Sequence, residues 1–356
     1  MDNFMHRINR LRDQLTQLEL SHFLVTHIPH LRYLTGYTGE EGHLLVSQDR
    51  AIFLCDFRFR EQAENQMQGC EIVTHPENLF SVLPKLNLTG KIGVESEHIT
   101  LKEIEKLKST LPRCDFLPTE KVVEVIASVK DSEEIEYIRQ AISISERAFT
   151  EVLDLVTEGV TERDLALELT YRQMRYGAEK DSFDLIIASG ARGALPHGTA
   201  SEKKIQAGDL IVFDWGCRCN GYPSDITRMV VLGKATPRQK EIFQIVKDAQ
   251  QKALDAVRAG VSVAELDKIA RDHITEAGYG PEFGHPLGHG LGLDIHSFPR
   301  VTQSLDYQLP TNTVITIEPG IYIPGWGGVR LEEDVRVTPD GADILTTLPR
   351  ELMEVG

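Results

Sequence analysis

Residues 211–230 read IVFDWGCRCNGYPSDITRMV, two apolar, strand-like runs around Asn220-Gly221, each carrying one aspartate, Asp214 or Asp225. Aspartate is depleted from strands, and an ionised carboxylate among buried apolar neighbours is costly unless something compensates it. A second stretch, VITIEPGIYIPGWGGVRLEEDVRVT, repeats the pattern with Glu318 and Glu332. Between them, PEFGHPLGHGLGLDIHSFPR sets His285, His289 and His296 among glycines, where they offer nitrogen ligands. Two like charges placed together raise one another's pKa, and a single pair could simply stay protonated. Four carboxylates converging on one cleft need cations, and two divalent metal ions would neutralise them.

The elements that must position these groups are legible in outline. A two-residue type I′ turn at Asn220-Gly221 pairs Asp214 with Thr227 and Asp225 with Gly216. Side chains alternate along a strand, so Asp214 shares a face with Gly216, Asp225 joins it diagonally, and both acids point the same way. VTEGVTERDLALEL, from Val156, is echoed by VRAGVSVAELDKIA, from Val257. Each ends one helix on a glycine and opens another on a Thr or Ser cap. The echo predicts a duplicated domain, each half supplying helices and a hairpin armed with two carboxylates. Asp131 followed by Glu134 predicts an N-cap opening a long helix through Ile135, Ile138 and Ile142. Two domains are therefore expected, residues 1–125 and 126–356.

In the first domain, SHFLVTHIPHLRYLTG, HLLVSQDRAIFLCDFRF and KIGVESE read as strands with turns, and LKEIEKLKSTL as a helix. At the amino end Phe4, Ile8, Leu11, Leu15 and Leu18 have helical spacing without the continuous apolar stretch of a secretory signal. Asp2, Asp13 and Glu19 favour a packing helix over a membrane-surface one. No apolar run approaches the roughly 18 residues of a membrane span, so a cytoplasmic protein without a membrane partner is expected. The 356 residues, 41% hydrophobic and 26% charged, fit a soluble two-domain protein. A formal charge of -16 argues against nucleic acid as a partner. The five cysteines lack paired spacing and read as reduced thiols. Cys217 and Cys219 lie close enough to Asp214 to be weighed as thiolate ligands, but a hairpin tip is the better reading. The glycines around His289 do not fit a dinucleotide-binding fingerprint.

Asp214, Asp225 eleven residues on, His289 in GHGLG, Glu318 in TIEPG and Glu332 in VRLEE resemble, in order and context, the metal-ligand set of the M24 metallopeptidases. The resemblance runs from about residue 130 to the end, and HLRYLTGYTGEEG is similar to the amino-terminal domain of the Xaa-Pro branch, prolidase and aminopeptidase P. It implies an α+β fold: a pita-bread catalytic domain with internal pseudo-twofold duplication, preceded by a creatinase-type α/β N-terminal domain. It also implies two divalent metal ions on those five residues. Manganese suits so oxygen-rich a set, with cobalt, zinc or iron tolerated. Asp214 and Asp225 are expected on one ion, His289 and Glu318 on the other, and Glu332 between them.

The implied activity is hydrolysis of the bond before a proline at the second position of a peptide. A dinuclear site would provide a nucleophilic water near neutral pH. Glu318 would take its proton, while His197 of ALPHG and His296 would hydrogen-bond the oxyanion and the departing imide nitrogen. His285, Arg330, Tyr322 and Trp326 are expected around the substrate. Arg300 matches an arginine thought to meet the substrate carboxylate in prolidases, which would favour dipeptides. Ser297 departs from the His-Glu pair of most relatives, and Glu333 makes the last ligand ambiguous by one position, although the Arg-apolar-Glu order favours Glu332. Relatives with this N-terminal domain are commonly dimers, so a homodimer is expected. Other readings are a creatinase-like hydrolase of a small non-peptide C–N bond, and a non-catalytic binding module, which would be expected to lack a ligand.

Overall fold

A computed structural model describes residues 3–76 and 78–356 and divides into two compact units, Met1–Ala127 and Ser128–Gly356. The first contains α1 (Asn3–Gln17), β1 (His22–Val25), α2 (Ile28–Thr35), β2 (His43–Ser47), β3 (Ala51–Asp56), α3 (Arg60–Gln66), β4 (Glu71–His75), β5 (Gly90–Glu95), α4 (Leu101–Thr110), β6 (Cys114–Thr119) and α5 (Val122–Ser128). The boundary expected at residue 125 falls inside α5, and the division comes where that helix ends. The strands form one sheet in the order β4-β3-β2-β1-β5-β6, with β1, β5 and β6 parallel. Helix α1 buries Ile8, Leu11 and Leu15, the stripe its spacing predicts.

One segment corrects the sequence reading. IPHLRYLT is helix α2, not a strand. Pro29 sits in its first turn, where a missing N–H costs nothing, and Gly36 closes it in the left-handed region at φ 77°, donating to the Arg32 carbonyl. Burial of Leu31, Tyr33, Leu34 and Thr35 fits a helix face.

The second unit begins with α6 (Ser132–Val152) and α7 (Glu162–Arg175), capped by Asp131 and Thr161 through reciprocal side-chain and backbone bonds. Then come β7 (Lys180–Asp181), β8 (Ile186–Ser189), β9 (Leu210–Trp215), β10 (Cys217–Cys219), β11 (Tyr222–Pro223) and β12 (Ile226–Leu232). The second half repeats the plan. Helices α8 (Pro237–Ala256) and α9 (Val263–Glu276) precede β13 (Gly288–Gly290), β14 (Ser297–Val301), β15 (Val314–Ile317), β16 (Gly320–Ile323), β17 (Gly327–Arg330), β18 (Glu333–Val337), β19 (Ala342–Ile344) and β20 (Met353–Val355). Gly159 and Gly260, the paired glycines of the echo, both take positive φ, 92° and 82°.

Each half holds a two-tier hairpin. The outer pair β9–β12 carries the inner pair β10–β11, and the outer pair β15–β18 carries β16–β17. The acids sit where the tiers join. Strands β9 and β12 are buried throughout, because both faces are covered. Ile211, Phe213 and Trp215 pack with Phe149, Leu165 and Leu169 of α6 and α7. Leu210 and Val212 pack instead with Ile242 and Leu266 of α8 and α9 and with Ile315 and Ile317 of the other hairpin. Alternation puts Asp214 on the Leu210–Val212 face, toward the second half.

Candidate active site

The first hairpin has the register that its turn dictates. Asn220 and Gly221 both take positive φ, 50° and 82°, and Asp214 lies opposite Thr227. Gly216 is required between the tiers, since a Cβ there would fall 1.9 Å from the Ser224 carbonyl oxygen. In the second hairpin one register runs through both tiers, Ile317 opposite Glu333 and Gly320 opposite Arg330, so Glu318 and Glu332 face one another between them.

His289 is delivered by a strand that only glycines could build. A Cβ on Gly288 would lie 2.1 Å from the Thr316 carbonyl oxygen, and one on Gly290 2.3 Å from that of Phe298. Without them β13 fits between β14 and β15. His289 Nδ1 lies 3.0 Å from the Gly290 carbonyl oxygen and donates to it, which turns Nε2 toward the acids. That Nε2 sits 3.5 Å from Asp225 Oδ2 and 3.5 Å from Glu318 Oε1. Donor atoms of Asp225, His289 and Glu332 lie within 4.8 Å of one another.

The adjacent glutamates separate cleanly. Glu333 accepts two hydrogen bonds from Arg228 Nη2, at 2.9 and 3.1 Å, and is committed to that pair. Glu332 accepts from Thr227 Oγ1 at 2.6 Å and faces Asp225 and His289. Thr316 does the corresponding work in its own hairpin, accepting from the His289 N–H at 3.1 Å and donating to Glu318 at 3.2 Å. Asp334 accepts from the Asp225 N–H at 3.0 Å. Thr227, Thr316 and Asp334 were absent from the candidates drawn from sequence. Their signal was alternation, since Thr227 pairs with Asp214 and Thr316 with Asp334.

The electrostatics ask for cations. Burial, then Asp214, Asp334 and Glu318, push the Asp225 carboxyl well above its ordinary pKa. Burial, then Asp225 and Glu318, do the same to Glu332. Burial lifts Asp214 to about 6 even though Arg330 pairs with its Oδ2. Asp214 Oδ1 is buried without a hydrogen-bond partner. His289 Nε2 stands between the Asp225 and Glu318 carboxylates, 3.5 Å from each, where a shared cation would join all three. Four carboxylates and one imidazole are a donor set for hard divalent ions, which would relieve every one of these penalties. The residues fit the metals that the chemistry implies.

These groups line a cavity of about 410 Å³ with His197, His285, His296, Arg300 and Arg330. His197 is exposed at its edge. The His296 ring lies edge-to-face on His289 with centroids 4.5 Å apart. His296 is open on one side, yet cover on the other, followed by the nearby His289, lowers its pKa to about 4. Ser297 closes the turn behind it through an Oγ bond to the Asp294 carbonyl at 2.6 Å. Arg300 stands directly opposite His289 in the β13–β14 ladder and so on the same face.

Two expectations change, those for Tyr322 and Trp326. Tyr322 is buried behind the cavity and not in its wall. It accepts from Arg330 Nη1 at 2.9 Å and donates to His285 Nε2 at 2.9 Å. His285 Nδ1 bonds the Pro286 carbonyl at 2.8 Å, so both its nitrogens are engaged within the protein. Trp326 lies away from the cavity, partly buried beneath Arg238, whose guanidinium carbon is 5.0 Å from the ring centroid. Cys217, for which a hairpin tip is the preferred reading, is outside the cavity lining and meets Ser145 Oγ at 3.3 Å, and burial lifts its thiol to about 12.

Residues 136–339 match metallopeptidase family M24, and residues 7–129 match the creatinase/prolidase N-terminal domain. The structure is similar to an Xaa-Pro dipeptidase from Bacillus anthracis, with a TM-score of 0.95 and 39% identity over 99% of this chain and 100% of that one. It is also similar to the X-Pro aminopeptidase of Thermotoga maritima, with a TM-score of 0.90 and 39% identity over 98% and 99% of the two chains. An Xaa-Pro dipeptidase of Pyrococcus horikoshii is 36% identical over 355 residues, 99% of this chain and 100% of its own length. No helix among the described residues is long and apolar enough to cross a membrane. The chain belongs to metallopeptidase family M24, with a creatinase/prolidase-type domain at its amino end.

Proposed function

We propose that this protein hydrolyses the bond preceding proline in short Xaa-Pro peptides, using two divalent cations held by Asp214, Asp225, His289, Glu318 and Glu332. The observation that carries this reading is the meeting of four acids with His289 Nε2 in one cavity. Relatives and structural neighbours named as Xaa-Pro peptidases supply the substrate class. Manganese is the proposed ion, since oxygen donors dominate. Bound there, divalent ions supply a water of lowered pKa and polarise the scissile carbonyl.

The protein's own groups do the rest. Of the four acids, Glu318 has the most open side chain, 16% exposed. Its Oε1 meets Thr316 and His289, which leaves Oε2 to take the proton of the attacking water. His296, neutral at physiological pH by its lowered pKa, donates an N–H to the developing oxyanion. His197, in the same cavity lining, would hydrogen-bond the departing proline nitrogen, which lacks a hydrogen of its own. Arg330 and Tyr322 fix Asp214 and His285 and touch no solvent of consequence.

Arg300 inclines the site toward dipeptides, because an exposed guanidinium on the His289 face can pair with a free proline carboxylate. The aminopeptidase reading has its support in equal identity to the Thermotoga maritima enzyme. Comparing turnover of an Xaa-Pro dipeptide and an Xaa-Pro-Xaa tripeptide decides between them, and faster dipeptide turnover is expected. Chelation should abolish both activities and added manganese should restore them; undiminished hydrolysis after chelation contradicts the proposal.

A further inference from the structure

The loop that carries His197 is tied off at its base by one buried carboxylate. Glu162, the first residue of α7, is wholly buried. Its Oε1 accepts from the Ser189 N–H and hydroxyl, each at 2.8 Å. Its Oε2 accepts from the Ser201 N–H at 3.1 Å and the Ser201 hydroxyl at 2.6 Å. Arg192 Nη1 pairs with the same Oε2, while Arg192 Nη2 donates to the Thr199 carbonyl at 2.9 Å. Ser189 ends β8, so a single side chain joins both ends of the excursion through residues 190–200. The backbone of α7 adds to the clasp. The Glu162 and Arg163 N–H groups donate to the Lys203 and Ser201 carbonyls at 3.1 and 3.0 Å.

A carboxylate is costly to bury unless it is paired and hydrogen-bonded. Two N–H groups, two hydroxyls and a guanidinium meet that cost here, and a helix N-terminus favours the charge. The far side of the excursion is fitted to the cavity. The Pro196 carbonyl accepts from Arg330 Nη1 at 3.0 Å, and Arg330 pairs with Asp214. Gly193 lies so close to β17 that a Cβ on Gly328 would fall 2.1 Å from the Gly193 carbonyl oxygen. Pro196, His197 and Thr199 line the cavity, whereas Glu162 does not. The His197 ring is exposed at the cavity edge and takes no hydrogen bond from the described residues, so the backbone that carries it sets its place.

We propose that Glu162 is a positioning residue for His197: by closing the base of the loop it holds the imidazole where the departing proline nitrogen would meet it. This rests on the role given to His197 above. The test uses the manganese-loaded full chain. Rates on an Xaa-Pro dipeptide and hydrogen exchange of residues 190–200 are measured for wild type, Glu162→Gln, His197→Ala and the double variant. Glu162→Gln should lower kcat by up to about 10²-fold through misplacement of His197, with KM and manganese affinity little changed. Exchange within residues 190–200 should speed up. Added to His197→Ala, Glu162→Gln should cost nothing further, because the group it positions is gone. A purely structural role would instead make the two losses multiply. Ser201→Ala removes one hydroxyl from the clasp and should show the same pattern in milder form, which decides the matter if Glu162→Gln does not fold. Losses that multiply, or wild-type exchange in residues 190–200, overturn the proposal. Wild-type kcat in His197→Ala would sink the role of His197, and faster loop exchange in Glu162→Gln would even then uphold the clasp.

Discussion

Glu332 and Glu333 are consecutive in the chain and serve opposite sides of it: the first joins Asp225 and His289, the second pairs with the buried Arg228. Their substitutions should therefore part. Glu333→Gln leaves Arg228 without its counter-charge and should destabilise the fold by about 3–5 kcal/mol, read from urea unfolding. Glu332→Gln should leave unfolding of the chelated protein nearly unchanged, or stabilise it by relieving repulsion, yet lose bound metal and peptide hydrolysis. A pair of variants that behave alike would contradict this division.

Removing the supports behind the acids should weaken metal binding without deleting a ligand. Thr227→Val takes the hydroxyl from Glu332, and Asp334→Asn alters the group that receives the Asp225 N–H. Each is expected to cost about 10–100-fold in metal affinity or activity. Titration of the chelated variants with manganese checks it, and wild-type affinity in both would refute the assigned supports.

The chelated protein should be pH-sensitive in a defined direction. Asp214 is raised from 3.8 to about 6, so the folded state holds a proton that the unfolded state has released. That contribution is fully present below pH 3.8 and is lost as pH rises through about 6. Asp225 and Glu332, also raised, extend the loss in the same sense. Unfolding temperatures in chelator should therefore fall across this window relative to Asp214→Asn, and manganese should reverse the fall with release of protons. A flat difference would mean that the acids do not confront one another.

Arg300→Gln should discriminate between substrates. Losing a charge-assisted bond of about 1.5–3 kcal/mol should raise KM for an Xaa-Pro dipeptide by one to two orders of magnitude, with kcat little changed. A tripeptide, whose carboxylate lies elsewhere, should be much less affected. Equal effects on both would remove the argument for a dipeptidase.

What could be read from sequence was what is decided locally. Asn220-Gly221 fixes its own turn and therefore the register of Asp214 and Asp225, and Asp131, Thr161 and Ser262 cap the helices they precede. Helix α2 was misread because IPHLRYLT is apolar on nearly every side, and only packing chooses its period. Tyr322 was misplaced for a related reason. An aromatic beside a predicted site can line it or stand behind it, and the bonds to Arg330 and His285 come from residues distant along the chain. The choice between Glu332 and Glu333 turned on Arg228 in the other half, a partner that no pattern within VRLEED reveals.

The account depends on cations among Asp214, Asp225, His289, Glu318 and Glu332, and anomalous diffraction from manganese-loaded crystals tests this most directly. Two anomalous peaks enclosed by those five side chains are predicted. A map with no peak there, at full manganese loading, would contradict it.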